Sequence, residues 1–333
     1  MPHTFETIQD SIDVRPHSKL PTSDMKWAWV FIIGASSVVY GFDFLPSPTP
    51  PDSSKHVGVF YQGDQLFKSG KTHREQLAIS VPISVTPRDY LEPGFRGTFL
   101  NLPPRQGRPQ RLWKSQPYLL YSHYPKEGTV WRTILEVGSS SDHPYASFKE
   151  TAIQLTAFYA FQQSERHRWT FYMNYSSLRP PLSHIPLPGL AYTYLIPKRL
   201  KLDIGAPFLS IEGQFLSQRV KLSAMGFFPF FTRVEASVRI IGPIFLYTSW
   251  KNATDIYYRF ARPKAERSLY VREQSASFGL RAPVAPMIFA DLQAGYRFKR
   301  SLYEAHRFSN KENAPVEHLP AGPFFAWTLM ARF

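Results

Sequence analysis

The stretch PFFAWTLMARF, Pro323 to Phe333, puts Phe325, Trp327, Leu329, Ala331 and Phe333 on one side of an extended chain and Ala326, Thr328, Met330 and Arg332 on the other. Successive side chains of a β-strand point to opposite faces, so this segment reads as a strand with a bulky apolar row backed by a smaller, more polar one. The same device recurs upstream. Leu77, Ile79, Val81, Ile83 and Val85 share a face, as do Ile153, Leu155, Ala157, Tyr159 and Phe161, and Trp169, Phe171, Met173 and Tyr175. Val234, Ala236, Val238 and Ile240 alternate with Arg233, Glu235, Ser237 and Arg239, and Ile288, Ala290, Leu292, Ala294, Tyr296 and Phe298 alternate with Asp291, Gln293, Gly295 and Arg297. A soluble sandwich would need a second layer to cover such long aromatic-tipped rows. A closed antiparallel barrel in lipid requires one apolar row on every strand.

Composition narrows the classes further. The aromatic fraction of 16% and hydrophobic fraction of 43% exclude a disordered chain. The absence of Cys excludes disulfide frameworks, zinc knuckles and thiol catalysis. The net charge is +14, but the basic residues are spread over many strands rather than gathered on one helix or patch, which argues against nucleic acid as a partner. No pair of histidines has metal-ligand spacing, and no phosphate loop, dinucleotide fingerprint or nucleophile elbow occurs, so no metal or cofactor is expected.

Residues 27–40 (WAWVFIIGASSVVY) form an apolar run directly after Met25 and Lys26. A spanning helix needs about 20 apolar residues. The shorter run, its cationic flank and its small-residue exit read as a signal peptide over 25–41, with Val39 and Gly41 at the −3 and −1 positions of cleavage. The polar residues 1–24 then lie upstream of a true start at Met25 or form an extended n-region. A signal anchor is the competing reading. Residues 42–56, containing LPSPTPPDSS, read as a Pro-rich linker, and 57–333 as the barrel.

A final strand carrying Phe325, Trp327 and Leu329 and ending in Phe333 resembles the assembly signal of bacterial outer-membrane β-barrels. The resemblance implies the outer membrane of a Gram-negative bacterium as location, with the lipid bilayer and the outer-membrane insertion machinery as partners. PGLAYTY at 188–194 and LKLDIGAPF at 200–208 resemble a motif of Gram-negative outer-membrane barrel families known only as domains of unknown function. That second resemblance implies a fold and supplies no activity.

Bacterial barrels have short periplasmic turns and long outer loops. With the last strand ending in the periplasm, 299–322, 252–274, 176–188, 139–149 and 101–114 read as outer loops, and 284–287, 163–167 and 125–128 as inner turns. Taking Gly205-Ala206-Pro207 and Phe228-Pro229-Phe230 as tight outer turns gives 16 strands; with these prolines at bulges the count falls to 12 or 14. The aromatics Tyr118, Tyr121, Tyr124, Trp131, Trp169, Tyr192, Tyr194, Trp250, Tyr257, Tyr258, Tyr296 and Trp327 suit interfacial girdles.

Opposite the apolar rows lie Arg132, Arg168, Lys201, Lys221, Arg233, Arg239, Lys251, Arg281, Arg297 and Arg332, against only Glu136, Asp203, Glu212, Glu235 and Asp291. Arg or Lys facing hydrocarbon costs about 2–4 kcal/mol at the midplane, so these side chains are expected in the lumen. The reading is a passive channel for small solutes, preferring anions. Its alternative is a structural or surface-interaction barrel whose lumen is plugged and whose charges pair. A third reading, an outer-membrane hydrolase, rests on Ser139-Ser140-Ser141-Asp142-His143, which a polar loop explains better because triad residues converge from separate elements.

Overall fold

The computed structural model describes residues 45–47, 57–66, 72–104, 107–178, 184–227, 229–260, 267–305 and 316–332. The signal-peptide segment with Val39 and Gly41, most of the linker, and Phe333 lie outside the described residues, as does the side chain of Arg332.

Among the described residues sixteen antiparallel strands form the wall of one closed sheet, to which the two-residue strand Glu317–His318 adds at Ser301–Leu302. They are β1 (Gly58–Leu66), β2 (His73–Ser80, resumed as Ile83–Thr86), β3 (Asp89–Asn101), β4 (Arg111–His123), β5 (Thr129–Ser141), β6 (Thr151–Gln162), β7 (His167–Ser176) and β8 (Leu187–Ile196). There follow β9 (Leu200–Gly205), β10 (Phe208–Phe215), β11 (Val220–Phe227), β12 (Phe231–Ile241), β13 (Ile244–Tyr257), β14 (Ser268–Ala285), β15 (Ile288–Ala305) and β16 (Gly322–Arg332). The two parts of β2 keep one register against β3, interrupted at Pro82, which has no N–H to give to the ladder. Closure comes from β16, which pairs with β15 on one side and β1 on the other, as in Asp291↔Thr328 and Gln62↔Thr328. Every strand edge is thereby satisfied, the condition for a sheet to cross lipid.

One end of the barrel turns tightly at residues 87–88, 124–128, 163–166, 197–199, 216–219, 242–243 and 286–287. This is the periplasmic end by the rule of short inner turns. The outer connections at 102–110, 142–150 and 306–321 are long, while those at 206–207 and 228–230 are tight. The loops at 252–274 and 299–322 are shorter than the sequence suggests, because β13, β14 and β15 continue pairing out to Tyr257, from Ser268 and out to Ala305.

The alternation read from sequence separates the two faces of the wall. Leu119, Leu135, Leu155, Phe171, Leu190, Ile211, Val234, Leu246, Leu280, Leu292 and Leu329 are exposed on the outside, whereas Ser122, Glu136, Thr170, Thr193, Glu235, Ser249, Ser277, Arg281 and Thr328 are buried within. Outward aromatic pairs occur near both ends: Phe99 against Trp113 (centroids 4.4 Å apart) at the outer end, Trp131 against Tyr159 (4.4 Å) and Trp169 against Tyr192 (4.8 Å) at the periplasmic end. Tyr118, Tyr124 and Tyr257 do not join these girdles. Position along β4 and β13 suited them, but period 2 sends Tyr118 and Tyr124 to the face opposite Tyr121, and Tyr257 onto the inner row of Ser249 and Asp255. Tyr258, just past β13, is buried as well.

Three inward tyrosines cover glycines directly across the ladder, Tyr118 on Gly94, Tyr172 on Gly189 and Tyr247 on Gly279. A Cβ at any of the three would fall within 2.4 Å of the facing ring, so only glycine leaves the room.

Candidate functional site

The site to be judged is the lumen. Its charged side chains form layers rather than an open ring. Toward the outer end Asp64 on β1 meets Arg297 on β15 at 2.7 Å, and Glu273 on β14 binds both Arg297 (3.2 Å) and Arg300 (3.1 Å). A β-bulge on β15 brings both arginines inward. Gln274 pairs with Lys299 but Ser275 pairs with Arg297, so the inward parity changes between Arg297 and Arg300. Arg74 on β2 binds Asp255 on β13 at 3.0 Å, and Lys114 on β4 reaches the same carboxylate at 3.6 Å. Lys251 stands within electrostatic reach of Arg74, Glu273 and Asp255.

These contacts cross the interior. Going round the wall from β13, β2 is the fifth strand and β4 the seventh of sixteen, so Lys114 and Asp255 come from nearly opposite sides. Asp64, Arg74, Lys114, Asp255, Glu273, Arg297 and Arg300 are all less than a tenth exposed. Charges so far from water are held only when each finds partners, because removing one partner strands the other.

A second layer lies nearer the periplasm. Glu235 joins Arg233 (2.5 Å) to Arg281 (3.2 Å), and Arg281 also binds Asp291 at 2.9 Å. Tyr247 donates its hydroxyl to Asp291 at 2.6 Å and offers its ring face to Arg281 at 4.7 Å. On the adjoining arc Lys201 binds Asp203 at 3.1 Å, Thr193 donates to Asp203 at 2.7 Å, and Lys221 binds Glu212 at 2.9 Å.

The interior also holds chain that is not wall. Leu45 packs with inward-facing Ala191, Phe208, Phe231 and Ala253. Pro46 is fully buried, and its carbonyl accepts a hydrogen bond from Arg168 at 3.4 Å. The described part of the Pro-rich stretch is therefore inside the barrel.

Apolar side chains pack together at the outer end. Leu100, Leu102, Leu112, Tyr257, Leu269, Val271, Leu302 and Leu319 form one buried cluster drawn from β3, β4, β13, β14, β15 and the last loop. Arg300 donates to the carbonyl of Pro320 at 3.1 Å, and Arg108 and Glu317 pair between the first and last long loops. The opposite walls also touch. Tyr258, just past β13, forms a parallel bridge with Ser141 at the end of β5, its N–H donating to the Ser140 carbonyl at 2.7 Å, and β5 is eighth of sixteen from β13.

The serine-rich segment belongs to this seam. Asp142 accepts from the Ser141 hydroxyl at 3.0 Å and from the Phe260 N–H at 2.7 Å, while His143 lies tilted against Phe260 with centroids 5.2 Å apart. The carboxylate sits between hydroxyl and imidazole, whereas a nucleophilic triad needs the imidazole in the middle. The segment is built as a loop tie.

Of the residues singled out from sequence, Arg132, Arg168, Lys201, Lys221, Arg233, Glu235, Lys251, Arg281, Asp291 and Arg297 lie on the inner side. Arg132 there donates to Ser122 at 2.9 Å. Arg239 differs: it keeps the inward parity but lies at the periplasmic rim, close to the 242–243 turn, and is exposed there over the Phe245 ring at 5.2 Å. Phe325 and Leu329 lie on the outer side and exposed, with Trp327 tilted against Tyr61 at 4.9 Å.

The alternation alone missed Asp64, Arg74, Lys114, Asp255, Glu273 and Arg300. Arg74 was readable, since it shares parity with Gln76 and lies opposite Leu77. Lys114, Asp255 and Glu273 fall in stretches whose polarity suggested outer loops, and the bulge hides Arg300.

No family model matches the chain, and no curated protein matches it. Several solved structures align over most of its length. An outer-membrane channel from Pseudomonas putida F1 aligns with 86% of this chain and 100% of its own at 9% identity and a TM-score of 0.37. CdiB from Acinetobacter baumannii aligns with 84% and 60% at 9% identity and 0.46. The P. putida toluene transporter TodX aligns with 86% and 91% at 8% identity and 0.35. At such values the architecture rests on the chain's own strand pairing. A closed barrel of even strand number, apolar outside, charged inside, and with short turns at one end has the build of the bacterial outer-membrane class. The protein is a β-barrel of the Gram-negative outer membrane.

Proposed function

We propose that the protein is an outer-membrane channel for small solutes, held closed in this conformation and selective for anions when open. The observation that carries this reading is the nature of the closure. Asp255 joins Arg74 and Lys114 by side chains alone, between strands that share no ladder. Leu45 and Pro46 enter from a segment outside the sheet. All of these can part without breaking a backbone pair of the barrel. A barrel of sixteen strands is of the size that leaves an aqueous channel once its interior is cleared. The inward excess of Arg and Lys over Asp and Glu supports anion preference, because a basic low-dielectric passage concentrates anions.

Planar-bilayer recording on the full chain tests this. Asp255→Asn removes the carboxylate to which both opposite-wall cations are bound. The expected result is a larger open fraction than wild type, with a reversal potential displaced toward that of chloride, reduced by high salt. Folded, heat-modifiable protein that conducts in neither form would overturn the channel reading. A plugged structural barrel would then take its place, a reading favoured by the apolar cluster around Leu319 at the outer mouth.

A further inference from the structure

Four consecutive periplasmic hairpins, from the β6–β7 turn to the β12–β13 turn, carry the exposed cations Arg166, Lys198, Arg199 and Arg219, with Arg239 at the end of β12. Glu165 is the one acid in those four turns. The turns are tied side by side: Leu195 N–H donates to the Arg166 carbonyl (2.8 Å), Gln214 to Arg199 (2.7 Å) and Arg239 to Arg219 (2.7 Å). With strands about 4.8 Å apart, neighbouring hairpins stand roughly 10 Å from each other, so the cations form a continuous arc rather than isolated points.

Apolar groups accompany the arc on the bilayer side. Leu216 and Ile241, near Arg219 and Arg239, are each 73% exposed. Beside the first turn a groove of about 670 Å³ opens between the outward faces of β7, β8 and β9, lined by Gln163, Ser164, His167, Trp169, Tyr192 and Ile204. Its polar end is fixed by Trp169 donating to Gln163 at 3.0 Å. The groove lies at the periplasmic boundary of the membrane, where amphipathic rings settle.

We infer that this rim is a binding surface for anionic phospholipids of the inner leaflet, their phosphates held by the arc and one acyl chain laid along Trp169, Tyr192 and Ile204. Charge complementarity selects an anion, and the adjoining apolar groove selects one with a tail. A free phosphate satisfies only the first condition.

Native mass spectrometry of the full chain in detergent, titrated with phosphatidylglycerol, with phosphatidylcholine of the same chains, or with inorganic phosphate, reads the preference directly. Wild type should bind phosphatidylglycerol about tenfold or more tightly than phosphatidylcholine. The combined Lys198→Gln, Arg199→Gln and Arg219→Gln substitutions should abolish that difference. Trp169→Ala should weaken both lipids alike, because it removes the chain contact and leaves the charge. Raising ionic strength on wild-type protein should erode the phosphatidylglycerol preference alone, an arm that needs no variant to fold. Equal binding of the two lipids by wild type, an unchanged preference in the triple variant, or displacement of phosphatidylglycerol by equimolar inorganic phosphate would each overturn the inference.

Discussion

Two arcs of the same wall are built to different heights. Strands β8 to β11 have 10, 6, 8 and 8 residues, whereas β13, β14 and β15 have 14, 18 and 18. At about 3.3 Å per residue and a tilt near 45°, a six-residue strand rises roughly 14 Å and an eighteen-residue strand roughly 42 Å, against a hydrocarbon core of about 30 Å. The low arc is two-faced along its length, so lipid must thin to meet it. The high arc clears the membrane, and above it the alternation stops: Ser268–Val271 and the stretch from Arg300 to Tyr303 are buried at every position. Leu269, Val271 and Leu302 pack in the buried cluster on one face, while Tyr270 and Tyr303 stack at 5.1 Å on the other. Height and role therefore go together in this barrel, since the high arc carries the buried packing of the outer end and the low arc most of the basic periplasmic rim.

The largest effect should come from breaking the buried charge layer of the high arc. Glu273→Ala leaves Arg297 and Arg300, each 4% exposed, without the carboxylate they share. Arg297 keeps Asp64 while Arg300 loses its carboxylate, and removing one partner of a buried pair costs about 3–5 kcal/mol. In the low arc Lys221→Ala breaks only the pair with Glu212, whose side chains keep 22% and 15% exposure, and should cost about 1 kcal/mol or less. Urea unfolding in detergent, followed by heat-modifiability, would compare them; similar midpoints for the two variants would mean that the layers are energetically alike and that the contrast between the arcs is only one of length.

A lipid-facing charge tests the same contrast from outside. Leu292 on β15 and Ile204 on β9 are both 48% exposed on the outer wall. Leu292 pairs with Leu280 and Trp327 and lies in the apolar belt, whereas Ile204 stands two residues from the outer turn of a short strand. Leu292→Arg should cost about 2–4 kcal/mol and Ile204→Arg about 1 kcal/mol, because the penalty falls off toward the interface. Equal penalties, measured by refolding into vesicles, would show that the bilayer does not thin at the low arc.

The contrast also explains what could be read in advance. Period-2 rows such as Ile153 to Phe161 or Ile288 to Phe298 specify the barrel because one face meets lipid and the other the lumen, and the tight turn at Pro207 preserves the count of sixteen strands. Where both faces are buried, as in SLYV at 268–271, the pattern that identifies a strand vanishes, and polar neighbours such as Glu273 then suggest a loop. The lumen charges were legible as inward. Their pairing was not, because Lys114 and Asp255 meet through tertiary closure between strands distant in sequence, and parity assigns a face without assigning a partner across the interior. The burial of Pro46 in the lumen was illegible for the same reason: a Pro-rich stretch looks alike as linker and as plug.

The smallest effect should separate two arginines that sequence treats as equivalent. Arg239 and Arg281 share the inward parity of their strands, and a uniform lumen would make them alike. Arg281 is 7% exposed, bound to Glu235 and Asp291 and stacked on Tyr247. Arg239 is the last residue of β12 in register before the slip at the periplasmic rim and rests in the open over Phe245. An exposed cation–π contact is worth about 0.5–1 kcal/mol. Arg239→Gln should therefore shift the unfolding midpoint by no more than that and leave the reversal potential of any conductance unchanged. Arg281→Gln removes the shared partner of buried Glu235 and partly buried Asp291 and should destabilise several-fold more. If Arg239→Gln alters ion selectivity as strongly as Arg281→Gln, the guanidinium must turn into the passage when the barrel opens, and the rim would have to be counted as part of the pore.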